Sequence, residues 1–262
     1  MIRSLYTAAS GMKANQTFVD NISHNLSNVN TVGYKKSKIE FEDLMYQTLQ
    51  EPGGQNGDGT RAPVGIQIGL GTKVLATNKL FMQGNLEQTG NNLDVAIEGD
   101  GFFQVRLTNG EVAYTRAGAF KISGDGYLTT SQGNIVEPGI SISDDVQDLY
   151  IDASGRILGT LTAGELPEEL GQLELARFVN PAGLRSHGSN LFTQTEASGE
   201  PIIGEPGEEN IGVLRNQFLE SSNVQMVEEM VAMIVAQRAY EISSKAISTS
   251  DEMLQTATSL KR

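Results

Sequence analysis

Cysteine and tryptophan are absent from this chain of 262 residues, and histidine occurs only twice. Without cysteine the chain can form no disulfide, no thiolate metal site and no cysteine nucleophile. His24 and His187 are too few nitrogen ligands for a zinc site, so we interpret both as surface or hydrogen-bonding residues. Aromatic residues make up only 6% of the chain, which disfavours a sugar-binding cleft.

Long apolar runs are also lacking, and the mean hydropathy is −0.23. No stretch reaches the length of about 18 apolar residues that a membrane-spanning helix requires, so we predict no membrane insertion. Residues 1–7 carry neither the charged region nor the apolar core of a secretory signal. We therefore expect a chain without a cleaved signal peptide.

A basic region is missing as well, although the net charge is −13. Residues 1–50 carry five basic and four acidic side chains, and residues 213–262 carry five basic and six acidic ones. The surplus of acidic side chains therefore lies in residues 51–212. Because nucleic-acid binding requires a basic stripe, this class of function is excluded.

Glycine and proline divide the chain into three parts. Of 29 glycines, only Gly11 and Gly33 precede residue 51 and none follows Gly212, while all seven prolines lie between Pro52 and Pro206. Both residues interrupt helices, so the two ends can form long helices and the middle cannot. This distribution predicts an α+β fold, with long N- and C-terminal helices around a central all-β domain.

Apolar residues follow helical spacing at both ends. The N-terminal series has alternating steps of three and four residues, and the C-terminal series recurs every seven residues. Both patterns are typical of a coiled-coil seam, so we predict that the two terminal helices pair as a coiled coil. A long amphipathic helix needs a partner to bury its apolar stripe. The predicted assembly-interface residues are Leu5, Ala8, Met12, Val19, Ile22, Leu26, Val29, Leu219, Met226, Met233, Tyr240, Ile247 and Leu254.

The middle of the chain has short apolar or alternating segments separated by turn residues. Candidate strands are 93–97, 101–105 and 111–114, and candidate turns are 109–110, 124–126 and 132–134. Turns of this kind join antiparallel strands. The boundaries that we expect are an N-terminal helix over 1–33, an extended or irregular connection over 34–70, a β-rich outer domain over 71–197, a linker over 198–214 and a C-terminal helix over 215–262.

Possible catalytic and metal-binding patterns are weak. Ser10 and Lys13 match the S-x-x-K string of serine acyltransferases, but no later K-T-G accompanies them. Acidic clusters at 56–59, 94–100 and 144–152 lack the closing glutamate of a helical calcium loop, and turn-forming Asp and Asn explain them better. We predict no catalytic residue, no cofactor and no metal ion, and therefore not an enzyme.

Three regions carry a specific resemblance to a known family. They are residues 9–12 with 22–35 (ISHNLSNVNTVGYK), residues 84–118 with the strings GNLEQT, LDVAIEGDGFFQV and YTRAG, and residues 220–254 with ESSNV, QRAYE and ML. These strings resemble the bacterial flagellar basal-body rod and hook protein family, over essentially the whole chain. Residues 41–53 are similar to a segment of its distal rod branch.

The resemblance implies a structural subunit of the flagellar distal rod that self-assembles into a hollow helical axle and transmits torque across the periplasm. It implies export through the flagellar type III apparatus, with other rod and hook proteins and the basal-body ring proteins as partners. Three alternatives stay open: a proximal rod or hook-type subunit, an exported cell-wall enzyme or adhesin, and a monomer whose terminal helices close on each other.

Overall fold

A computed structural model describes residues 2–53, 63–143, 146, 148–160, 167–208 and 210–259. Within these residues the chain forms helices α1 (Ile2–Ser27) and α2 (Met226–Ser259), a 3-10 helix at Pro181–Gly183, and twenty strands. The strands are β1 (Ser37–Asp43), β2 (Tyr46–Gln50), β3 (Ile66–Gly69), β4 (Thr72–Lys79), β5 (Leu86–Gln88), β6 (Val95–Glu98), β7 (Phe102–Arg106), β8 (Val112–Thr115), β9 (Phe120–Ile122), β10 (Leu128–Thr130), β11 (Ile135–Val136), β12 (Asp148–Ile151), β13 (Arg156–Thr160), β14 (Glu168–Gln172), β15 (Leu175–Arg177), β16 (Arg185–Gly188), β17 (Leu191–Thr193), β18 (Ile202–Gly204), β19 (Val213–Asn216) and β20 (Phe218–Glu220). The predicted α+β class, with a helix towards each end and a β-rich middle, is confirmed.

The chain divides into two compact units. The helical unit comprises Met1–Ser27, Ser37–Asn78 and Gln225–Arg262. In it α1 packs against α2, β1 pairs with β4, and β2 pairs with β3 as an antiparallel hairpin. The aromatic rings of Phe18 on α1 and Phe41 on β1 meet edge to face, with 5.8 Å between centroids. None of the described helices is both long and apolar enough to cross a membrane.

The β unit comprises Asn28–Lys36 and Lys79–Val224. Its nine-stranded sheet runs in the order β16-β17-β8-β7-β11-β10-β9, with β15 also paired to β7 and β18 paired to β15. Smaller sheets are formed by β12-β13-β14, β19-β6 and β20-β5. The pairs with a described register are antiparallel, as expected for strands joined by short turns.

Strand β7 separates two apolar cores because consecutive side chains of a strand point to opposite faces. Phe103 and Val105 lie in the larger core, which includes Ile97, and Phe103 packs edge to face on the ring of Phe120. Phe102 lies in the second core, whose members are Phe102, Tyr114, Ala176, Phe178, Leu184 and Phe192. The central sheet is therefore buried on both faces, which explains why residues 101–105 read as an almost continuous apolar run.

The three predicted turns are present, each between two strands of the structure. At each of them a glycine N–H donates a 2.9 Å hydrogen bond to the carbonyl three residues earlier, and the glycine has a positive φ. These glycines are Gly110, Gly126 and Gly133. A side chain would be strained in that backbone conformation, which is why glycine marks the turns in the sequence.

The ends of both helices differ from their expected positions. Helix α1 stops at Ser27 rather than at residue 33, because Asn28–Thr31 closes a turn in which the Thr31 N–H donates to the Asn28 carbonyl. Asparagine is a poor helix former that favours such turns. Helix α2 begins at Met226 rather than at residue 215, since residues 213–220 pair in strands β19 and β20. Leu219 is therefore a strand residue and not part of α2.

Candidate assembly surface

The helical unit is organised by an antiparallel contact between α1 and α2. Asn25 Nδ2 near the end of α1 donates to Glu229 Oε2 near the start of α2, at 3.2 Å. The hydroxyls of Ser4 and Ser250, near the opposite ends of the pair, lie 3.3 Å apart. Both contacts join residues that are 21 positions apart on their own helix, so the two helices run alongside each other in a constant register.

The face of α2 that contacts α1 is built from small or polar residues at intervals of seven. Glu229, Ala236 and Ser250 are buried, and Ser243 is half-buried. A Cβ placed on Gly11 of α1 would lie only 3.6 Å from the Ser243 Oγ. Glycine, alanine and serine allow the two helix backbones to approach closely, since they leave little side-chain volume between them.

The heptad residues predicted on α2 lie on the edge of this contact face. Met233, Ile247 and Leu254 are half-buried, whereas Met226 and Tyr240 are 45% and 39% exposed. Each of the three fully buried positions, Glu229, Ala236 and Ser250, follows a predicted one by three residues. The sequence pattern therefore identified one half of a three-and-four spacing and missed the other half, because Glu229, Ala236 and Ser250 give no apolar signal.

The predicted positions on the N-terminal side fall mostly on the packed face of α1. Ile22 is buried, and the others within the helix are half-buried: Leu5, Ala8, Met12, Val19 and Leu26. Val29 lies beyond the end of α1, and Leu219 lies in β20; both are half-buried in the β unit. Neither residue is therefore part of the helical pair.

A buried polar contact fixes the C-terminal end of α1 within the helical unit. The amide of Asn25, which is 1% exposed, donates to the Ser37 carbonyl at 2.8 Å and accepts the Ser37 N–H at 2.9 Å. The same amide donates to the buried carboxylate of Glu229. One side chain thus joins α1, β1 and α2, and it satisfies backbone groups that would otherwise be buried without partners.

Enlarging Ala236 should separate the helices. We expect Ala236→Leu to lower the free energy of unfolding by about 1–3 kcal/mol, because the added atoms have no space in the contact face. Val235→Leu is the matched control, since Val235 is exposed and should change stability by less than about 0.5 kcal/mol. Urea unfolding followed by circular dichroism measures both, and equal effects would contradict the close contact.

The opposite face of α2 carries an exposed apolar patch near the start of the helix. We define the α2 patch as Val227, Met230, Val231, Ile234 and Val235, all of which are at least 49% exposed. Their spacing of i, i+3, i+4, i+7 and i+8 forms one continuous helical stripe. Burying such a stripe is favourable by roughly 25 cal/mol per Å² of apolar surface. This stripe is one of the apolar surfaces that the described part of the helical unit leaves available for a partner.

Ser10 and Lys13, the weak catalytic match, lie on α1 in the helical unit. The Ser10 hydroxyl donates to the Thr7 carbonyl at 2.8 Å and accepts the Thr72 N–H at 3.3 Å. These bonds hold β4 against the helix. Of the acidic clusters, residues 56–59 and 144–145 lie outside the described residues, and Asp152 accepts hydrogen bonds from its own turn, as turn-forming aspartates do.

The β unit contains a buried cluster of ionised side chains that the sequence did not reveal. Lys35 Nζ lies 2.6 Å from Glu220 Oε1, and Arg116 Nε lies 3.8 Å from Glu220 Oε2. All three side chains are at most 2% exposed. Gly84 N–H donates to Glu220 Oε1 at 2.8 Å, and Lys35 Nζ donates to the Met82 carbonyl at 2.8 Å. We name Lys35, Arg116 and Glu220 the ionic cluster.

The electrostatics of the ionic cluster are dominated by burial. Burial and the neighbouring Arg116 guanidinium lower the pKa of Lys35, and Glu220 opposes that shift. Burial also lowers the pKa of Arg116. Glu220 is therefore the main charge that compensates the two cations, with a smaller contribution from Asp100, in a site where removing charge from water is costly. The sequence carries one sign of this cluster, because Lys35, Arg116 and Glu220 are charged residues within otherwise mostly uncharged strings.

The segments that carry the sequence resemblance meet at this cluster. Lys35 follows the ISHNLSNVNTVGY string, Arg116 belongs to YTRAG, and Glu220 begins ESSNV. The Gly33 N–H also donates to the Glu220 carbonyl at 2.8 Å. Strings that are far apart in sequence thus contribute to one structural feature, and their charged residues have a physical role in holding the β unit together.

Comparison with protein families gives three matches along the chain. Residues 5–35 match the family "Flagella basal body rod protein", and residues 96–159 match "Flagellar hook protein FlgE/F/G D1 domain". Residues 215–260 match "Flagellar basal body rod FlgEFG protein C-terminal". The three family matches therefore cover most of α1, part of the β unit, and α2.

Curated relatives align with the whole chain. "Flagellar basal-body rod protein FlgG" of Borreliella burgdorferi is 52% identical over 264 residues, covering 100% of both chains. The chain belongs to the flagellar basal-body rod protein family. Proteins of the same name from Buchnera aphidicola and Caulobacter vibrioides are 46% and 44% identical, covering 97% and 99% of this chain and 98% and 100% of the relatives.

Membership of the basal-body rod family confirms the resemblance found in the sequence, and the three relatives above are FlgG proteins, of its distal rod branch. This chain is therefore a structural subunit of the flagellar rod, and the α1–α2 pair and the ionic cluster are features of such a subunit. The predicted class of function, a structural protein of the bacterial flagellum that serves motility, is confirmed.

Proposed function

We propose that the chain self-assembles through the exposed side of its terminal helices into the distal rod of the flagellum. The observation that carries the proposal is the α2 patch, a continuous apolar stripe that faces away from α1. A soluble monomer gains nothing from such a surface, whereas a polymer buries it in every subunit. The half-buried predicted positions, such as Met233 and Ile247, lie on the side of α2 that faces α1 and are outside this patch.

Charge distribution supports the same proposal. Residues 1–50 carry net charge +1 and residues 213–262 carry −1, so the helices can stack in many copies without accumulating repulsion. The acidic surplus of residues 51–212 is tolerable where solvent screens it. In the assembled rod we therefore assign the self-contacts to the helical ends and leave the acidic middle in contact with solvent and the ring proteins.

The finer parts of the proposal follow from the family. The polymer is a hollow helical axle that crosses the periplasm and transmits torque, and it performs no catalysis. Its subunits travel through the flagellar export apparatus without a cleaved signal, and its partners are other rod and hook proteins and the basal-body rings. In the assembled state we propose that α1 and α2 complete a coiled-coil pair, using both halves of the three-and-four spacing.

A charged substitution in the α2 patch tests the proposal. We expect Val231→Asp to leave the monomer folded, with a change in stability below about 0.5 kcal/mol, because Val231 is 56% exposed. In the polymer the carboxylate would be buried without a partner, at a cost of several kcal/mol per contact. Cells carrying the variant should lack rods in electron micrographs and should not swim, and the purified variant should stay monomeric in sedimentation.

Thr249→Asp is the matched control for this experiment. It lies eighteen residues after Val231, or about five helical turns, so it points in the same direction from α2 but in a polar stretch, between Ser248 and Ser250. Thr249 is exposed and should tolerate the carboxylate. Normal rods with Val231→Asp, or equal loss of rods with Thr249→Asp, would count against assembly through the patch.

A further inference from the structure

Three segments of the β unit lead to the points where the chain enters or leaves the helical unit. The chain passes between the two units after residues 27, 36, 78 and 224. On the β-unit side, residues 33–36, 79–84 and 220–223 lie next to the last three of these crossings. We name them the first, second and third boundary segments. Force that passes along the chain at these crossings has to go through the boundary segments.

One ring of hydrogen bonds joins all three boundary segments. The Lys36 N–H donates to Asn223 Oδ1 at 2.7 Å, and the Leu80 N–H donates to the Lys36 carbonyl at 2.9 Å. Asn223 Nδ2 donates to the Leu80 carbonyl at 2.8 Å and to the Met82 carbonyl at 3.1 Å. Around the ring, Lys36, Leu80 and Asn223 each donate a bond and each accept one. Every boundary segment is therefore bonded to both of the others.

The side chain of Asn223 closes the ring because it has the hydrogen-bonding groups of a peptide bond. A side-chain amide offers a donor and an acceptor, whereas a carboxylate only accepts and an aliphatic side chain does neither. Asn223 is half-buried, and its NH₂ group donates to two backbone carbonyls of the second segment. Aspartate in this position would place a carboxylate against these two carbonyl oxygens, although it could still accept the Lys36 N–H.

Further contacts hold the same three segments together beside the ring. Lys79 Nζ of the second segment donates to the Lys35 carbonyl at 3.0 Å and lies 4.4 Å from the centroid of the Tyr34 ring. Glu220 of the third segment lies 2.6 Å from Lys35 Nζ and accepts the Gly84 N–H at 2.8 Å. Charge-assisted hydrogen bonds are roughly twice as strong as neutral ones. The ionic cluster and the ring therefore act on the same three segments.

We propose that the ring closed by Asn223 is a mechanical clasp, which makes the three boundary segments bear load together. Segments that are bonded in a ring have to break several bonds in one step, whereas separate segments would yield one bond at a time. The inference rests on the proposed function for the load, because an axle subunit has to carry torque. The clasp itself is a property of the single chain and needs no second copy.

Hydrogen exchange of the full chain tests whether the ring opens in one step. In the wild type we expect the Lys36 and Leu80 amides to have protection factors within about threefold of each other, because the same opening releases both. We expect Asn223→Asp to raise both exchange rates by at least about tenfold. Aspartate leaves each of these two N–H groups its own acceptor, so only a shared opening can accelerate both.

Asn180→Asp is the matched control for this measurement. Asn180 Nδ2 donates to the Ala197 carbonyl at 3.0 Å, so the same substitution removes the same kind of bond in the β unit but outside the boundary segments. We expect it to leave the exchange of Lys36 and Leu80 unchanged. Unequal protection of these two amides in the wild type, or faster exchange of only one of them in Asn223→Asp, would refute the clasp. The wild-type comparison decides the question even if the variant folds poorly.

Swimming in media of increasing viscosity tests the mechanical role of the clasp. We expect Asn223→Asp cells to assemble rods, since Asn223 lies outside α1 and α2, but to lose a larger fraction of their swimming speed than Asn180→Asp cells. Loss of rods with Asn223→Asp, or an equal loss of speed in the two variants, would refute the load-bearing role. A wild-type chain that never enters rods would instead refute the proposed function, and the hydrogen-exchange result would stand.

Discussion

Replacing Glu220 by glutamine should destabilise the chain by about 3–5 kcal/mol, although the change removes one charge and almost no volume. Among the residues that the structure describes, Glu220 supplies the carboxylate of the ionic cluster, at 2.6 Å from Lys35 and 3.8 Å from Arg116. Without it, two cations remain buried in a region from which water is excluded. A loss of this size is a large fraction of the 5–15 kcal/mol that holds a typical domain folded.

The geometry explains why the glutamine cannot substitute for the carboxylate. Glu220 Oε1 accepts from both Lys35 Nζ and the Gly84 N–H, so both of its partners at that atom are donors. Glutamine has one carbonyl oxygen and one NH₂ group, and the NH₂ group would have to face Lys35 or Arg116. The variant therefore loses the ion pair and also places donor against donor.

Glu98→Gln is the matched control because it breaks an arginine pair on the surface of the same unit. Glu98 Oε2 lies 2.6 Å from Arg215 Nε, but the side chains are 42% and 54% exposed. Exposed pairs contribute about 0–1 kcal/mol, so this variant should remain close to the wild type. Urea titration of the full chain compares the two, and a loss below 1 kcal/mol for Glu220→Gln would show that the cluster does not stabilise the fold.

The sequence predicted that both ends of the chain form helices, because the spacing of their apolar residues has a helical period. Half of the α2 contact face follows a seven-residue repeat of Met, Tyr, Ile and Leu, which identified the helix. The other half consists of Glu229, Ala236 and Ser250, which are buried through close packing or a hydrogen bond to Asn25. Glutamate, alanine and serine are also common on an exposed helix face. The apolar repeat alone therefore placed the contact face beside its true position.

The start of α2 was misplaced because a heptad extends readily across a boundary. Leu219 continues the repeat by one period, but its backbone pairs with Glu87 in β5. An apolar residue at the next heptad position can lie in the helix or in a neighbouring strand. Only pairing with a distant strand shows which of the two is correct. Tertiary context outweighed local pattern at this point. At Asn28–Thr31, in contrast, a local turn ends the helix six residues before its expected end.

The candidate assembly surface was partly visible in the sequence. The apolar residues of the α2 patch widen the helical stripe beyond what one partner helix can cover, and a stripe of that width indicates contacts on more than one side of α2. The close approach of α1 to α2 could not be found in this way, because it depends on the distance between the two helices. The ionic cluster was hidden for the same reason, since Lys35, Arg116 and Glu220 are separated by 81 or more positions in the chain.

Adding one methyl group at Gly118 should destabilise the β unit by at least about 3 kcal/mol. A Cβ at this position would lie 1.6 Å from the carbonyl oxygen of Val95 and 3.2 Å from the ring of Phe103. Contacts below 3.0 Å essentially never occur for a real Cβ, so two backbone segments would have to separate. Val95 is fully buried and its N–H donates to the Gly118 carbonyl at 3.0 Å, so the separation would also break a buried hydrogen bond.

Gly124→Ala is the matched control for Gly118→Ala. Neither glycine has a positive φ, and a Cβ at Gly124 would meet nothing within 4 Å. Alanine there should be neutral or should stabilise the chain by about 0.4–1 kcal/mol, because it restricts the unfolded state. Thermal unfolding of both variants measures the difference, which isolates the effect of the close approach from the general effect of replacing glycine. If the two variants melted together, the backbone of residues 95 and 118 could not be in the contact that joins β6 to the segment before β9.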